Sequence, residues 1–239
     1  MNVTAETLQE FFQRFVEIKN LLGEEIYQDF QNDFSTLKSG LEPLFVARAK
    51  EELEEAYRFN LFKLFGIGTK EVTTHSVLLA ELLNPAGVHG QGSLFLNGFF
   101  EMLKSENPPN IMLPKETDET DWRVRRELVT HEGNLDLVLS SRKAKWILVI
   151  ENKINAGDQK DQLERYSRWL ESQRDHFEFR SLAYLTLNGR PSNEAKEVIY
   201  ACLSYRKEIQ QWLESTFPHI RADVTRVVIN QYLNLIQTL

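Results

Sequence analysis

The sequence predicts an α/β protein in which a helical N-terminal part packs on a mixed central sheet. Three observations predict it. The first ~105 residues place apolar side chains at helical spacing and need no strand. Three strand-like runs then follow one another across short polar links: WRVRRELV at 122–129, LDLVLS at 135–140 and WILVIENK at 146–153. A helical stretch from Asp158 to Gln173 and a further strand, RSLAYLTL at 180–187, complete the pattern. Links as short as THEGN and SRKAK favour an antiparallel meander for the first three strands.

The N-terminal helices begin with Leu8, Phe11, Phe12, Phe15, Ile18, Leu21 and Leu22 on one face. Glu51, Glu52, Glu54 and Glu55 read as a solvated helix face, the usual meaning of a charge run. Two helices, VTTHSVLLAELL and SLFLNGFFEML, are joined by NPAGVHGQG, whose proline and three glycines punctuate a turn. From Glu106 to Asp121 three prolines and many polar residues mark a loop, and the strands follow it. After the strand at 180–187 come a short strand, VIYACL, and two helices.

Composition narrows the function. With 239 residues, 42% hydrophobic, the chain can bury one large core with a helical appendage. Its single cysteine, Cys202, excludes a disulfide framework and a cysteine-rich metal site, which fits a reducing, cytoplasmic setting. No apolar run reaches the ~18 to 20 residues of a membrane span. A net charge of −7 argues against a general nucleic-acid binder, though not against a local basic strip.

The chemistry lies at 146–153. Five apolar residues, Trp146 to Ile150, run without a turn into Glu151, Asn152 and Lys153. Side chains two apart on a strand share a face, so Glu151 and Lys153 form a carboxylate and ammonium pair while Asn152 points away. Asp136 opens the neighbouring apolar strand after Gly133. If Ser140 faces Lys145 across the SRKAK turn, Asp136 falls near residue 149, and a twist or bulge is needed for it to meet Glu151. Two acids that close repel unless a cation lies between them, and hard oxygen donors suit Mg²⁺ or Mn²⁺. A nearby lysine can orient water or balance charge on phosphorus.

Gly133-Asn-Leu-Asp136, followed by Glu151-Asn-Lys153 at the end of an apolar strand, resembles the PD-(D/E)xK nuclease superfamily. Gln162-Leu-Glu-Arg-Tyr166 is similar to the Q-x-x-x-Y feature of its exonuclease-like branch, and HSVLLAELLNPAGVHGQGSLFLNGFF with IENKINAGDQKDQLERY resembles a bacterial family there. Leu135 stands where the superfamily name has proline. The resemblance spans roughly residues 59–188 and implies a restriction-endonuclease-like core over 59–239, with 1–58 as an N-terminal helical region packed on it. It implies catalysis by Asp136, Glu151 and Lys153. The implied metal ligands are Asp136, Glu151 and the Asn152 backbone carbonyl.

Other residues carry weaker expectations. Gln159, Gln162 and Tyr166 share the core-facing stripe of the helix with Leu163, Trp169 and Leu170, so they either support the metal site or bond nearby backbone. Glu127, Glu71 and Glu81 are acids that could join the same centre. His75 reads as a hydrogen-bonded core histidine, whereas His89 is undecided between structure and phosphate contact. Arg123, Arg125, Arg126, Arg142, Lys143 and Lys145 form the densest basic cluster and are the candidate contacts to a nucleic-acid backbone.

The sequence therefore points to a Mg²⁺- or Mn²⁺-dependent phosphodiester hydrolase, acting on DNA rather than RNA, in bacterial defence or DNA processing. The competing reading is a catalytically idle nuclease fold that binds a nucleic acid or protein. The N-terminal helices offer a surface for a homodimer or protein partner.

Overall fold

The computed structural model describes residues 13–14, 24–56, 59–115 and 121–239. The N-terminal stripe from Leu8 to Leu22 lies outside them. Contacts divide the chain into a unit ending at Phe59 and a unit from Asn60 to Leu239. In the first, α1 (Glu24–Glu55) runs through Pro43, and Glu51 and Glu54 are exposed on it.

The second unit holds the sheet. Asn60 caps the short α2 (Leu61–Leu64), accepting the Phe62 and Lys63 N–H groups at 3.0 and 3.3 Å. A wide π-type turn, Glu71–His75, leads into α3 (Ser76–Leu83), and α4 (Leu94–Glu106) follows. Then come β1 (Arg123–Thr130), β2 (Gly133–Ser141), β3 (Trp146–Lys153), α5 (Gln162–Ser172), β4 (Phe179–Thr186) and β5 (Ala201–Ser204). A second π-type turn, Tyr205–Ile209, leads into α6 (Gln210–Thr216), and α7 (Asp223–Ile236) closes the unit. Strand order is β1-β2-β3-β4-β5, antiparallel through β3 and parallel from β3 to β5, so the predicted meander and mixed sheet are present.

Each sheet face covers its own core. Trp146, Leu148 and Ile150 join residues of α3, α4, α6 and α7 on one side, while Ile147 and Val149 join Leu163, Tyr166 and Trp169 of α5 on the other. All eight residues of β3 are buried, as a strand covered on both faces requires. Gly98 lets α4 approach α6 closely: a Cβ there collides with Thr216 Oγ1, and the nearby Trp212 indole donates to the Phe95 carbonyl at 2.7 Å.

The β2–β3 register differs from the expected one. Ser140 pairs with Ile147 rather than facing Lys145, because Ser141–Trp146 closes the hairpin and Arg142–Lys145 form the turn. Asp121 pins that turn, bonding Ser141 Oγ and accepting the Arg142 and Lys143 N–H groups at 3.0 and 3.2 Å. Lys145 reverses the chain at φ 50°. Since Leu137 pairs with Ile150, one further step brings Asp136 level with Glu151, and no bulge is needed between these strands.

The distortion sits one strand away. Glu127 adopts φ 46° inside β1, and the pairs on either side, Arg126–Leu137 and Leu128–Leu135, leave the Glu127–Asp136 row unpaired. Leu135 packs with α5 whereas Leu137 packs on the opposite face, so β2 changes face at Asp136. A left-handed glutamate in a strand costs about 1 to 3 kcal/mol, the kind of strain that gathers at functional sites.

A latch fixes the loop leading into α5. Asp158 accepts from the Tyr184 hydroxyl, from Arg190 at 2.9 and 3.1 Å, from Ser192 Oγ at 3.2 Å and from the Asn193 N–H at 2.6 Å. The Arg190 bonds, above all, hold its carboxyl well below the usual carboxylate range, with those from Tyr184 and Asn193 acting the same way. Asp158→Asn is expected to destabilise the fold by about 2 kcal/mol, since charge-assisted bonds are lost and Arg190 keeps an unmatched charge. Because the folded pKa is depressed, the wild-type contribution is complete above the ordinary value of 3.8 and drains as pH falls below it. Urea melts at pH 7 and pH 3 check this: the gap between wild type and variant must narrow at pH 3.

Candidate active site

The strand ends build the site. Lys153 Nζ lies 2.9 Å from Glu151 Oε1, and both side chains are buried on the α5 side. Asp136 Oδ2 accepts the Asn152 N–H at 2.9 Å, which ties the start of β2 to the end of β3. The Asn152 side chain faces the other core. It donates to Ser76 Oγ at 3.0 Å and accepts from the Tyr205 hydroxyl at 2.9 Å.

Electrostatics follow from this burial. Desolvation, then the Asp136 charge, push the Glu151 carboxyl up to about 8 against the opposing pull of Lys153. Asp136 is also raised, chiefly by burial and further by Glu127, although the Asn152 N–H and Lys153 oppose the shift. Burial acts against the Lys153 charge, yet Glu151, Asp136 and Glu71 outweigh it and raise its pKa. The Lys153 ammonium meets Glu151 Oε1 as an ion pair, whereas Glu151 Oε2 and Glu127 Oε1 are buried without an aligned hydrogen bond.

Buried carboxylate oxygens with spare acceptor capacity are what a small hard cation satisfies. Among the described residues no three His, Cys, Asp or Glu side chains converge as a ready-made cage. Two carboxylates and a backbone carbonyl nonetheless suit Mg²⁺, which keeps several of its waters. The donor set fits a divalent ion.

The supporting helix is partly as expected. It starts at Gln162, not at Asp158, because Asp161 takes φ 53° at its N-terminus. Gln159 is therefore an exposed loop residue and is not on the core-facing stripe. Gln162 and Tyr166 are buried there: Gln162 Nε2 donates to the Tyr166 hydroxyl at 2.9 Å, and that hydroxyl donates to the Asn134 carbonyl. Burial and the neighbouring Glu151 charge both raise the Tyr166 pKa, which keeps the phenol protonated.

Tyr166→Phe is expected to slow cleavage about 10- to 100-fold by loosening the support of β2 and Glu151. It also leaves the Gln162 amide and Asn134 carbonyl without their partner, a loss of about 1 to 3 kcal/mol in stability. Rates measured well below the variant's melting temperature separate the two effects. An unchanged rate per folded molecule means that Tyr166 only packs.

The additional acids divide. Glu127 lies beside Asp136 and is coupled to it. Glu71 reaches the end of β3, where its Oε1 accepts three backbone N–H groups. Glu81 does not join them: its Oε1 accepts the His89 N–H at 3.0 Å in the turn after α3. His89 belongs to that turn, with Nε2 bonded to the Asn84 carbonyl at 3.0 Å and Nδ1 accepting from Gln91. His75 is buried, its Nε2–H donating to the Gly68 carbonyl at 2.9 Å while Nδ1 accepts from Tyr232 at 2.7 Å. Burial lowers its pKa, so it is a neutral core histidine.

The basic cluster also divides. Arg123, Arg125 and Arg142 line a cleft of about 310 Å³ beside α5, walled by Trp169 and Phe177. Lys143 and Lys145 are exposed on the β2–β3 turn. Arg126 reaches the Val72 carbonyl at 3.4 Å. Sequence reasoning missed Ser76, Tyr205, Asp158 and Arg190, whose partners are far away in sequence and carry no local signal.

The mixed α/β sheet thus carries Asp136 on one strand and the buried Glu151 and Lys153 on the next. A family model described as PD-(D/E)XK nuclease superfamily matches residues 59–234, most of the chain, and the chain belongs to that superfamily. The match extends beyond residue 188 to include α6 and nearly all of α7. Neither the curated proteins nor the solved structures contain a match to the chain. No helix among the described residues is long and apolar enough to cross a membrane.

Proposed function

We propose that the protein is a divalent-metal-dependent nuclease that hydrolyses phosphodiester bonds, with DNA rather than RNA as substrate and a role in bacterial defence or DNA processing. The observation that carries this reading is that Asp136, one residue beyond the Leu137–Ile150 pair, accepts the Asn152 N–H at 2.9 Å beside Glu151, with Lys153 Nζ 2.9 Å from Glu151. Asp136, Glu151 and the Asn152 carbonyl would hold Mg²⁺ or Mn²⁺. When bound, that ion supplies Lewis acidity toward the phosphate and lowers the pKa of water.

The chain's own residues do the rest. Lys153, held charged by its acidic neighbours, orients the attacking water or balances charge developing on phosphorus. Tyr166 and Gln162 fix the β2 backbone beside the acids. Arg123, Arg125 and Arg142, with Lys143 and Lys145 at the turn, bind the phosphate backbone and carry no base specificity of their own. This local basic strip is how a chain of net charge −7 attracts a polyanion.

Purified protein incubated with linear duplex, circular duplex and single-stranded DNA, and with RNA, in Mg²⁺, Mn²⁺ or chelator tests the proposal. Cleavage of DNA that needs the metal is expected. Binding without cleavage under every condition would instead establish an idle nuclease fold.

A further inference from the structure

Immediately after Lys153, three consecutive backbone N–H groups converge on one oxygen. Ile154, Asn155 and Ala156 donate to Glu71 Oε1 at 2.6, 2.7 and 2.8 Å. Successive N–H groups aimed into one concavity form an anion nest, a backbone arrangement that phosphate sites use. Three donors exceed the two lone pairs of a single oxygen, so the nest is built for concentrated negative charge rather than for a neutral acceptor.

The surroundings point to an external ligand. An open cleft of about 410 Å³ lies against the nest, lined by Thr69 to Thr73 with Asn155 and Ala156. Lys70 and Thr73 are exposed at its edge, and Lys153 feels the charge held in the nest. Glu71 is the first residue of its π-type turn, and burial begins only at Thr74. Its carboxylate can therefore leave without unpacking the core behind it.

We propose that the Ile154–Ala156 nest is a subsite for a phosphate of the nucleic-acid backbone, occupied by the Glu71 carboxylate as a phosphate mimic until substrate displaces it. The proposal rests on the nuclease reading, because it takes the ligand to be the strand flanking the bond cleaved. Glu71 then acts as a gate on substrate entry. A purely structural alternative makes Glu71 a permanent cap of the 154–156 bend.

Three proteins distinguish these, all in chelator so that no cleavage occurs: wild type, Glu71→Ala and Glu71→Gln. Both variants remove the same charge, but glutamine keeps an amide oxygen for the nest while alanine empties it. A short duplex DNA followed by fluorescence anisotropy is expected to bind Glu71→Ala about tenfold more tightly than Glu71→Gln. Inorganic phosphate is expected to raise the melting temperature of Glu71→Ala and to leave the other two unmoved. Equal DNA affinity of the two variants, with no phosphate shift, overturns the proposal and leaves only a charge effect. Weaker DNA binding by both, with lowered melting temperatures and no phosphate shift, overturns it in favour of the structural cap. A phosphate shift in Glu71→Ala without DNA binding by any of the three overturns the nuclease reading while retaining the anion nest.

Discussion

Alanine at Asp136, Glu151 or Lys153 is expected to lower metal-dependent cleavage by about 10³-fold or more at each position, and double variants should lose little beyond the single ones. The expectation rests on their proximity: Asp136 accepts the N–H of Asn152, next to Glu151, and Lys153 Nζ is 2.9 Å from Glu151. Removing any one member disables the arrangement, which is why the losses do not add. Their effects on stability should differ. Above the folded Glu151 pKa of about 8, Lys153→Ala leaves the carboxylate buried without its cation and is expected to lower the melting temperature, whereas Glu151→Gln keeps the volume and removes a charge that burial opposes. Cleavage rates with saturating metal, set beside thermal melts of the same samples, check both statements. Equal cleavage by wild type and Glu151→Gln would sink the catalytic assignment.

Without metal, wild-type stability is expected to fall as pH rises from 5 to 9, and Glu151→Gln is expected to lack that slope. The sign follows from proton counting. An unfolded glutamate titrates near 4.5 and the folded Glu151 near 8, so between these values the folded state holds a proton that the unfolded state has released. Stability then declines with pH by at most about 1.4 kcal/mol per unit, and the decline ends above the folded pKa. Near pH 6 the variant should melt close to wild type, because glutamine resembles the protonated acid; at pH 9 it should melt higher.

A divalent ion held by these acids would reverse the order. It replaces the proton, so saturating Mg²⁺ or Mn²⁺ should stabilise wild type by about 2.7 kcal/mol at a hundredfold excess over the dissociation constant. Asp136→Ala and Glu151→Gln should show little of this shift. Melts of the three proteins at pH 6 and pH 9, with chelator and with millimolar Mn²⁺, check the set. A shift of the same size in all three means that these acids share no metal site.

Much of the architecture is legible because it depends on near neighbours. The 146–153 strand has the bounds expected from its five apolar residues and the charged triplet after them. The two helices expected at 72–83 and 93–103 are present, the first as a π-type turn from Glu71 to His75 leading into 76–83 and the second at 94–106. Misplaced details turned on single backbone angles. Asp161 at φ 53° delays the start of α5 and takes Gln159 off the helix, and the left-handed Lys145 belongs to the turn that shifts the register.

Sequence alone determined which residues could carry charge into the core: Asp136, Glu151 and Lys153 stand beside apolar runs whose burial drags them along. Residue spacing and side-chain period are local, so a strand's faces can be read without its partners. Only the tertiary structure decided which groups meet. Glu71 reaches the nest across more than eighty residues, Asp158 closes on Arg190, and Asn152 is fixed between Ser76 and Tyr205. The physical reason is that hydrogen bonds and charge coupling depend on distances of a few ångströms. Those distances are set by strand register, helix packing and backbone reversals that no short stretch of sequence contains.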